Sequence, residues 1–359
     1  MLPLTLLSLA LSTTAAPLES RQAPSGVPDC ILKYAPIAHL FTEEKYNPSD
    51  ISAQLTNTQP ALNRTTITAG PSPLTLNNLN DLNNIPSSNS GHDIYLTSNL
   101  DFTTSPTPQY LYGVVPDGTG ATQNATSCTI ITVAKENNTL DAFYLYFYAY
   151  NFGGVYFGVE VGDHVGDWEH TMVRFVNETP EAVWYSQHSR GEAFTYAATE
   201  KGTDGVRPVV YVANGTHANY ATTGNHDHTI PGVNVPAGPV EDHTDSGALW
   251  DPIANAYFYS YDMTSKNFSA YGDAPVNWLY FLGQYGDDMI PKADKRQECL
   301  FGIDALCKYV AGPTGPIDKG LDRKDVCPDG VEGGCHVLPV ALPKRDSEED
   351  RWDDMALLE

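Results

Sequence analysis

The sequence predicts a mainly β protein: an antiparallel β-sandwich, jelly-roll-like, with a disulfide-stapled C-terminal extension. Three observations lead to this class. Segments rich in β-branched and aromatic residues recur at short intervals from Asp93 onward, separated by Gly, Pro and Asn. Amphipathic helical patterns are scarce, so helical crossovers between parallel strands are not expected. Four of the six cysteines lie between residues 291 and 335, after the last strand-like segment.

The first residues predict a targeting segment rather than a folded element. An apolar run from Leu2 to Leu11 is followed by small residues, the arrangement of a secretory signal peptide, which we place at residues 1–16. The run is too short to span a bilayer, and no other segment suggests a transmembrane span. Residues 17–29 are predicted to be a short pro-segment or linker. A signal peptide leads to secretion or to the vacuole lumen, so secretion is expected and the vacuole lumen is the alternative.

Residues 30–335 are predicted to form one β domain. Residues 22–92 are rich in Pro, Ser, Thr and Asn and show little periodicity. The strand-like segments that follow are DIYLTSNLDF, DAFYLYFYAYNF, WEHTMVRFV, EAVWYSQH, VRPVVYVANG and NAYFYSYDM. Residues 291–335 are predicted to pack on the sandwich as a Cys-rich extension, and residues 336–359 to form an acidic flexible tail.

The cysteines predict disulfides, because their number is even and the chain carries a signal for an oxidising compartment. Short spacings favour the pairs Cys299–Cys307 and Cys327–Cys335, which leaves Cys30–Cys128 as the third. A zinc site is a weaker alternative because no CxxC motif is present. Acceptor sequences for N-linked glycans also predict a glycoprotein; they begin at Asn63, Asn124, Asn137, Asn177, Asn214 and Asn267.

The charge of the chain limits its partners. Its 359 residues are 41% hydrophobic and carry a formal net charge of −24, so the chain is globular and strongly acidic. Such a surface repels phosphate backbones, which argues against nucleic acid as a partner, and it disfavours adsorption to anionic membranes. The oligomeric state stays open.

The stretch GDHVGDWEH gathers carboxylates and imidazoles without any Lys or Arg. On a strand, Asp167 and Glu169 project from the same face about 7 Å apart, and two such carboxylates favour a cation between them. His164, on the preceding turn, adds a nitrogen, and Asp163 is a further candidate ligand. This set suits Ca²⁺, Mg²⁺, Mn²⁺ or Zn²⁺. The alternative is a polar turn entering a strand; His170 faces the other way and is predicted to be structural.

Further candidate residues flank this stretch. His217, in VRPVVYVANGTHANYATTG, follows a strand among small residues and could be a catalytic base, a ligand or a substrate contact; the alternative is hydrogen bonding to loop backbone. His226 and His228, in NHDHTIPG, could contact a ligand, although this loop is expected to be exposed. Trp168 offers a stacking face. Motifs for serine hydrolases, zinc proteases and phosphate-binding loops are missing, and whether the protein is an enzyme stays open.

Several segments in the same order resemble the vacuolar protein sorting-associated protein 62 family. They are GDWEHTMVRF, VWYSQHSRGEAFTY, RPVVYVANGTHANYATTGNHDHTIPG, LWDPIANAYFYSYD, PVNWLYFLGQYGD and KYVAGPTGPIDKG. The resemblance covers roughly residues 30 to 330. It implies a link to vacuolar protein sorting and carries no catalytic residues over.

The spacing H-x-x-D-W-E is also similar to the GHRHDWE heptapeptide of the secreted necrosis-inducing (NPP1-like) cytolysins. That likeness implies a β-sandwich with a divalent cation at His164, Asp167 and Glu169. GTHANYAT is similar to a later segment of those proteins and would bring His217 near the site. Val165-Gly166 stands in place of Arg-His. The further acidic ligand that the likeness implies is not evident, and the candidates for its position are Asn151 and Asp163.

Together these observations predict a secreted or vacuole-lumenal glycoprotein whose cation site binds a glycan or a lipid headgroup. Three alternatives stay open: a metal-dependent hydrolase with His217 as base, a cytolysin-like secreted effector, and a non-catalytic protein acting in protein targeting to the vacuole.

Overall fold

A computed structural model describes residues 23–227, 241–331 and 334–341. The predicted signal peptide, part of the linker, His228 and most of the acidic tail therefore lie outside the described residues. Two short α-helices are present in the described part, α1 (Asp29–Lys33) and α2 (Ile51–Thr56). None of the described helices has the length and apolarity that crossing a membrane requires.

The described part of the chain is dominated by strands. In chain order they are β1 (Ile37–His39), β2 (Thr58–Leu62), β3 (Thr65–Thr66), β4 (Ile94–Ser98), β5 (Cys128–Ala134), β6 (Thr139–Asn151), β7 (Val155–Tyr156), β8 (Val159–Glu160), β9 (His164–Val176), β10 (Thr179–Gln187), β11 (Arg190–Thr195), β12 (Val209–Val212), β13 (Asn219–Tyr220), β14 (Gly224–Asp227), β15 (Glu241–Thr244), β16 (Leu249–Trp250), β17 (Ala256–Asp262), β18 (Asn267–Ala270) and β19 (Val337–Leu338).

Short 3₁₀ turns connect many of these strands. They are Leu79–Asn84, Gln109–Tyr112, Tyr196–Ala198, Pro252–Asn255, Asn277–Tyr280, Leu300–Gly302, Asp304–Leu306 and Pro316–Asp318.

One large sheet organises the fold. Its eight strands run in the order β18-β17-β5-β6-β9-β10-β11-β19, and a four-stranded sheet has the order β13-β12-β1-β16. The centre of the large sheet, from β5 to β11, is antiparallel, as predicted. Parallel pairs occur at its flanks, β17 with β5 and β11 with β19. Sequence alternation cannot reveal strand direction, so these pairs were not foreseen. The prediction of a mainly β sandwich is confirmed.

The large sheet is buried on both faces, which explains why DAFYLYFYAYNF is apolar without alternation. One face packs against the four-stranded sheet, where Tyr146 of β6 meets Trp250 of β16 with ring centroids 5.0 Å apart. The other face is covered by the segments around β2 to β4 and by residues 274–327, with Trp168 and Trp278 at its centre. Because β6 and β9 lie at the centre of the large sheet, between the two cores, close packing holds the polar side chains on them in fixed positions.

The Cys-rich extension packs on the large sheet, as predicted. The disulfides Cys299–Cys307 and Cys327–Cys335 are present, which confirms those two pairs. The expected third pair was wrong: Cys30, on α1, and Cys128, at the start of β5, are buried free thiols. That pair was reached only by elimination, and neither residue lies in a segment whose spacing restricts its partner.

The first residues of the predicted flexible tail include a short strand. Val337 and Leu338 form β19, which pairs in parallel with β11. This pairing extends the edge of the large sheet by one short strand, and the acidic flexible tail over residues 336–359 stays a prediction. The other domain boundaries stay predictions.

Candidate functional site

A bend in β9 brings the residues of GDHVGDWEH together. Gly166 has φ +70°, and a Cβ there would lie 2.1 Å from the carbonyl oxygen of Tyr285. Only glycine accepts both conditions. The bend brings His164 close enough to Asp167 for the carboxylate charge to act on the imidazole. Nδ1 of His164 donates to the carbonyl of Gly166 at 2.7 Å, which fixes the ring.

Asp167 holds the imidazole of His217. Nδ1 of His217 donates to Oδ2 of Asp167 at 2.9 Å, and Nε2 donates to the carbonyl of Tyr46 at 2.9 Å. Oε1 of Glu44 lies 3.8 Å from Nε2. The ring is buried and stacks on Tyr148 with centroids 3.7 Å apart. Both ring nitrogens are therefore engaged, and the imidazole has no exposed face.

The electrostatics favour an ion pair. Burial by itself would lower the pKa of His217, but hydrogen bonds with Asp167 and Glu44 raise it to about 9. Burial would raise the pKa of Asp167, but the hydrogen bond and charge of His217 lower it. At neutral pH the pair is imidazolium and carboxylate. Catalysis by His217 as a base stays a prediction, and this geometry suits a residue that positions Asp167.

Glu169 lies two residues farther along the same face of β9. The hydroxyl of Ser186 donates to its Oε2, and the backbone N–H of His188 donates to Oε1 at 3.1 Å. Burial, and then the charge of Asp167, raise the pKa of Glu169 to about 7. Burial and the nearby charge of Asp167 thus make the ionised form of Glu169 unfavourable, and the two groups that donate hydrogen bonds to it are neutral.

A second imidazole–carboxylate pair borders Glu169. Nε2 of His188, in the β10–β11 turn, donates to Asp242 at 3.1 Å. Asp242 also accepts from the hydroxyls of Thr216 at 2.6 Å and Tyr220 at 2.7 Å. Burial would lower the pKa of His188, but the charge and hydrogen bond of Asp242 raise it to about 9. The side chain of His188 is 28% exposed, so this cation reaches the surface.

We name Glu44, His164, Asp167, Glu169, His188, His217 and Asp242 the β9 cluster. Its carboxylate side chains have little exposure, and it reaches solvent through the partly exposed His164 and His188. Burial lowers the pKa of His164, so its imidazole is neutral. Sequence reasoning missed Glu44, His188 and Asp242. The only signal was YSQHSRG, where a histidine occupies a tight turn.

Asp163 lies outside this hydrogen-bond network. Its carboxylate accepts from the N–H of Gly153 at 3.1 Å and from the hydroxyl of Tyr150 at 3.2 Å. Burial raises its pKa to about 7. Asp163 therefore anchors the chain before β9, and a role as a cation ligand stays a prediction.

The candidate ligand-binding residues are spread apart. Trp168 is 1% exposed and packs on Phe147 and Trp278 in the core, so no face is open for stacking. His226 was expected in an exposed loop, but it is buried in β14, bonded to Thr244 at 2.9 Å and stacked on Tyr220. His228 lies outside the described residues.

His170 is structural, as its position on the opposite face predicts. Its Nε2 accepts from the guanidinium of Arg323 at 3.2 Å. Burial lowers the pKa of His170 well below its ordinary value, so the ring stays neutral. Arg323 also lies over the ring of Phe143 at 4.8 Å, and it ties the Cys-rich extension to the large sheet.

The side chains of the β9 cluster are bonded to one another rather than arranged around a common point. Among the described residues, no group of three or more His, Cys, Asp or Glu side chains is placed to hold a metal ion. The reason is local: Asp167 turns toward His217, and Glu169 toward Ser186. The donor set nevertheless has the chemistry of a cation site, with a neutral imidazole beside two carboxylates.

The pKa values predict a dependence of stability on pH. Glu169, Asp163 and Asp287 have pKa values near 7, so the folded protein binds these protons more tightly than the unfolded chain. His217 and His188, near 9, do the same at higher pH. The carboxyl contribution is lost between about pH 4 and 7, and the histidine contribution between about 6.5 and 9. We expect a higher free energy of unfolding at about pH 5.5 than at 8.5, measured by urea titration.

The lowered pKa values of Glu44 and Asp167 act the other way. Their contribution is lost only in stronger acid, as pH falls through the folded pKa. Glu169→Gln should flatten the slope between pH 4.5 and 7. It should also reduce the part of the alkaline limb that comes from His188, because the charge of Glu169 helps to raise the pKa of His188. A stability that rises steadily from pH 5.5 to 8.5 would contradict the assignment.

Comparison with known proteins identifies relatives over most of the chain. The family model described as vacuolar protein sorting-associated protein 62 matches residues 155–299. A putative vacuolar protein sorting-associated protein TDA6 of Saccharomyces cerevisiae is 37% identical over 88% of this chain and 73% of its own length. Vacuolar protein sorting-associated protein 62 of the same yeast is 33% identical over 86% and 69%.

A solved structure is a weaker match. Necrosis and ethylene inducing protein 2, from the causal agent of cocoa's witches' broom disease, is 10% identical, with 66% of this chain and 76% of that chain covered and a TM-score of 0.28. A likeness at this level carries no conclusion about the site. The two yeast proteins, in contrast, match most of the chain at 37% and 33% identity. The chain therefore belongs to the vacuolar protein sorting-associated protein 62 family.

Proposed function

We propose that this protein is a secreted or vacuole-lumenal glycoprotein that holds a divalent cation in the β9 cluster and binds a glycan or a lipid headgroup there. The orientation of His164 is the main support. Its Nδ1 donates to the carbonyl of Gly166 at 2.7 Å, and its Nε2 has no hydrogen-bond partner in the described part of the chain. Metal-binding histidines are commonly fixed in this way through the other ring nitrogen.

The cation would be held by His164, Asp167 and Glu169. It would supply a Lewis-acidic centre for hydroxyl or phosphate oxygens of the ligand. The neutral His164 and the ionised Asp167 already have the protonation states that binding requires. Glu169 has to exchange its hydrogen bond with Ser186 for the cation, which also relieves its unfavourable burial. His188, cationic and partly exposed, lies beside Glu169 and suits an anionic group of the ligand.

The exposed acceptor asparagines support a glycoprotein. Asn63, Asn124, Asn137, Asn177 and Asn267 are exposed, whereas Asn214 is half-buried beside the β9 cluster. The N–H of the next residue, Gly215, donates to Glu44 at 2.7 Å, so Asn214 lies in a segment held against the cluster. We therefore expect modification at the exposed positions and not at Asn214.

Elemental analysis after chelation and reloading with Ca²⁺, Mg²⁺, Mn²⁺ or Zn²⁺ tests the cation site. We expect about one ion per chain for at least one metal in the natural protein. His164→Gln replaces the candidate ligand that is partly exposed, so the variant should fold. Its affinity for the cation should fall at least tenfold, the loss that follows even when only a group supporting a metal ligand is removed. Asp167→Asn with Glu169→Gln should abolish binding.

The strongly acidic surface requires a matched control. Asp101→Asn with Asp294→Asn removes the same two charges from an exposed cluster elsewhere, and this variant should retain the ion. Equal loss in the control would reveal general counter-ion condensation. No ion in the natural protein with any of the four metals would overturn the proposal.

A further inference from the structure

Two loops outside the β9 cluster share one local design. Phe157 and Gly158 form the two-residue turn between β7 and β8, with φ +52° and +82°. Phe301 and Gly302 lie in the loop closed by the Cys299–Cys307 disulfide, with φ +55° and +72°. Both loops therefore place a phenylalanine and the following glycine in the left-handed region.

This conformation is costly for phenylalanine. Bulky residues rarely adopt it, and the penalty is roughly 1–2 kcal/mol for each. Turns of this type normally carry Asn, Asp or Gly at the first position. Burial does not offset the penalty, because Phe157 is 69% exposed and Phe301 is 76% exposed. Two residues are thus held at an unfavourable geometry with their rings in solvent, which points to a role outside the fold.

The two rings form one projection. Their centroids are 6.1 Å apart, and the neighbouring Val155 is 56% exposed. We call Phe157 and Phe301 the Phe-Gly tip. A small cluster beneath it supports both loops, with Val161, Leu300 and Leu306 buried. The tip is therefore a convex apolar point on a packed base.

The base is fastened to the start of β9. The N–H of Gly162 donates to the carbonyl of Cys307 at 2.9 Å, and the N–H of Asp163 donates to that of Lys308 at 2.7 Å. The tip is consequently set at a fixed position relative to the chain segment that leads into His164.

The charges around the tip are balanced. Lys308 pairs with Glu160, and Lys292 pairs with Asp304. Lys292 also donates to the carbonyl of Gly302 at 2.9 Å. We call these four charged side chains the rim. In a chain of net charge −24, these two ion pairs add no net charge beside the tip, which lowers the repulsion between this surface and a polar interface.

We propose that the Phe-Gly tip inserts into the headgroup region of a zwitterionic lipid bilayer. A convex projection needs no preformed pocket in its partner, and the headgroup–acyl boundary receives aromatic side chains. The balanced rim provides no attraction to anionic lipids, and the net charge of the protein opposes them. This docking goes beyond the proposed function and does not require the cation.

Flotation of the full-length protein with phosphatidylcholine vesicles, in the presence of EDTA, tests this inference. We expect the natural protein to float with the vesicles, and replacing a third of the lipid by phosphatidylserine to weaken binding. Phe157→Ser with Phe301→Ser should reduce the partition coefficient at least tenfold, because two apolar side chains no longer leave water. Leu100→Ser with Val115→Ser, exposed by 58% and 67% at other positions, should bind like the natural protein.

Each outcome decides the proposal. Lack of binding by the natural protein, or equal binding by both double variants, would overturn it. A third result would also overturn it: if the natural protein sediments as a dimer and the Phe157→Ser/Phe301→Ser variant as a monomer, the tip binds a second copy of the chain. Binding that EDTA abolishes and the tip substitutions spare would belong to the cation site instead. The substituted side chains are exposed, so a thermal midpoint equal to that of the natural protein verifies folding.

Discussion

Asp167→Asn is expected to lower the free energy of unfolding by about 3–5 kcal/mol, the cost of removing one partner of a buried ion pair. The carboxylate accepts from Nδ1 of His217 at 2.9 Å, and both side chains are buried. An asparagine keeps the size and loses the charge. The imidazolium of His217 would then be balanced by Glu44 alone, 3.8 Å from Nε2, and its pKa should fall.

Urea unfolding at neutral pH measures this loss. Asp273→Asn, on an exposed turn, removes the same charge without a buried partner and should change stability by less than about 0.5 kcal/mol. The difference between Asp167→Asn and the natural protein should shrink above about pH 9, where His217 gives up its proton in both. A loss below about 1 kcal/mol at neutral pH would contradict an ion pair.

Gly166→Ala is expected to destabilise the protein by more than about 3 kcal/mol, enough to reduce the yield of folded protein. Two effects add. The left-handed φ of +70° costs an alanine roughly 1 kcal/mol. The new Cβ would also lie 2.1 Å from the carbonyl oxygen of Tyr285, a backbone atom that cannot move alone.

Gly205→Ala separates these effects. Gly205 has the same φ of +70°, but no atom lies within 4 Å of a Cβ placed there. Its substitution should therefore cost only the conformational part, about 1 kcal/mol. Thermal and urea unfolding of both variants give the difference, which measures the close approach of Tyr285 to β9. Equal losses would mean that the contact is not tight.

The core strands show where sequence reasoning succeeds. The run DAFYLYFYAYNF became β6 because its aromatic and other apolar side chains suit a pleated surface buried on both sides. The motif GDHVGDWEH became the start of β9, with Asp167 and Glu169 on one face as the period of two requires. His170 lies on the other face for the same reason. These results depend on neighbours along the chain.

The composition of the β9 cluster could not be predicted in this way. His217 was singled out, but its bonds to Asp167 and Tyr46 join segments 50 and 171 residues apart. Asp242 and Glu44 were not among the predicted site residues, because each is a polar residue in a segment that looks exposed. The prediction for His226 was wrong in the opposite direction. This residue was expected to be exposed, but it is buried where β14 pairs with β15.

By itself, the sequence determined the fold class, the two short-range disulfides, the family and the strand that carries Asp167 and Glu169. Each of these depends on residue type and local spacing. The tertiary structure alone decided that His188 and Asp242 join those carboxylates, that Cys30 and Cys128 form no disulfide, and that Phe157 and Phe301 come together. Such contacts depend on how distant segments cross the large sheet. Side-chain alternation specifies which face a residue occupies, but not which segment covers that face.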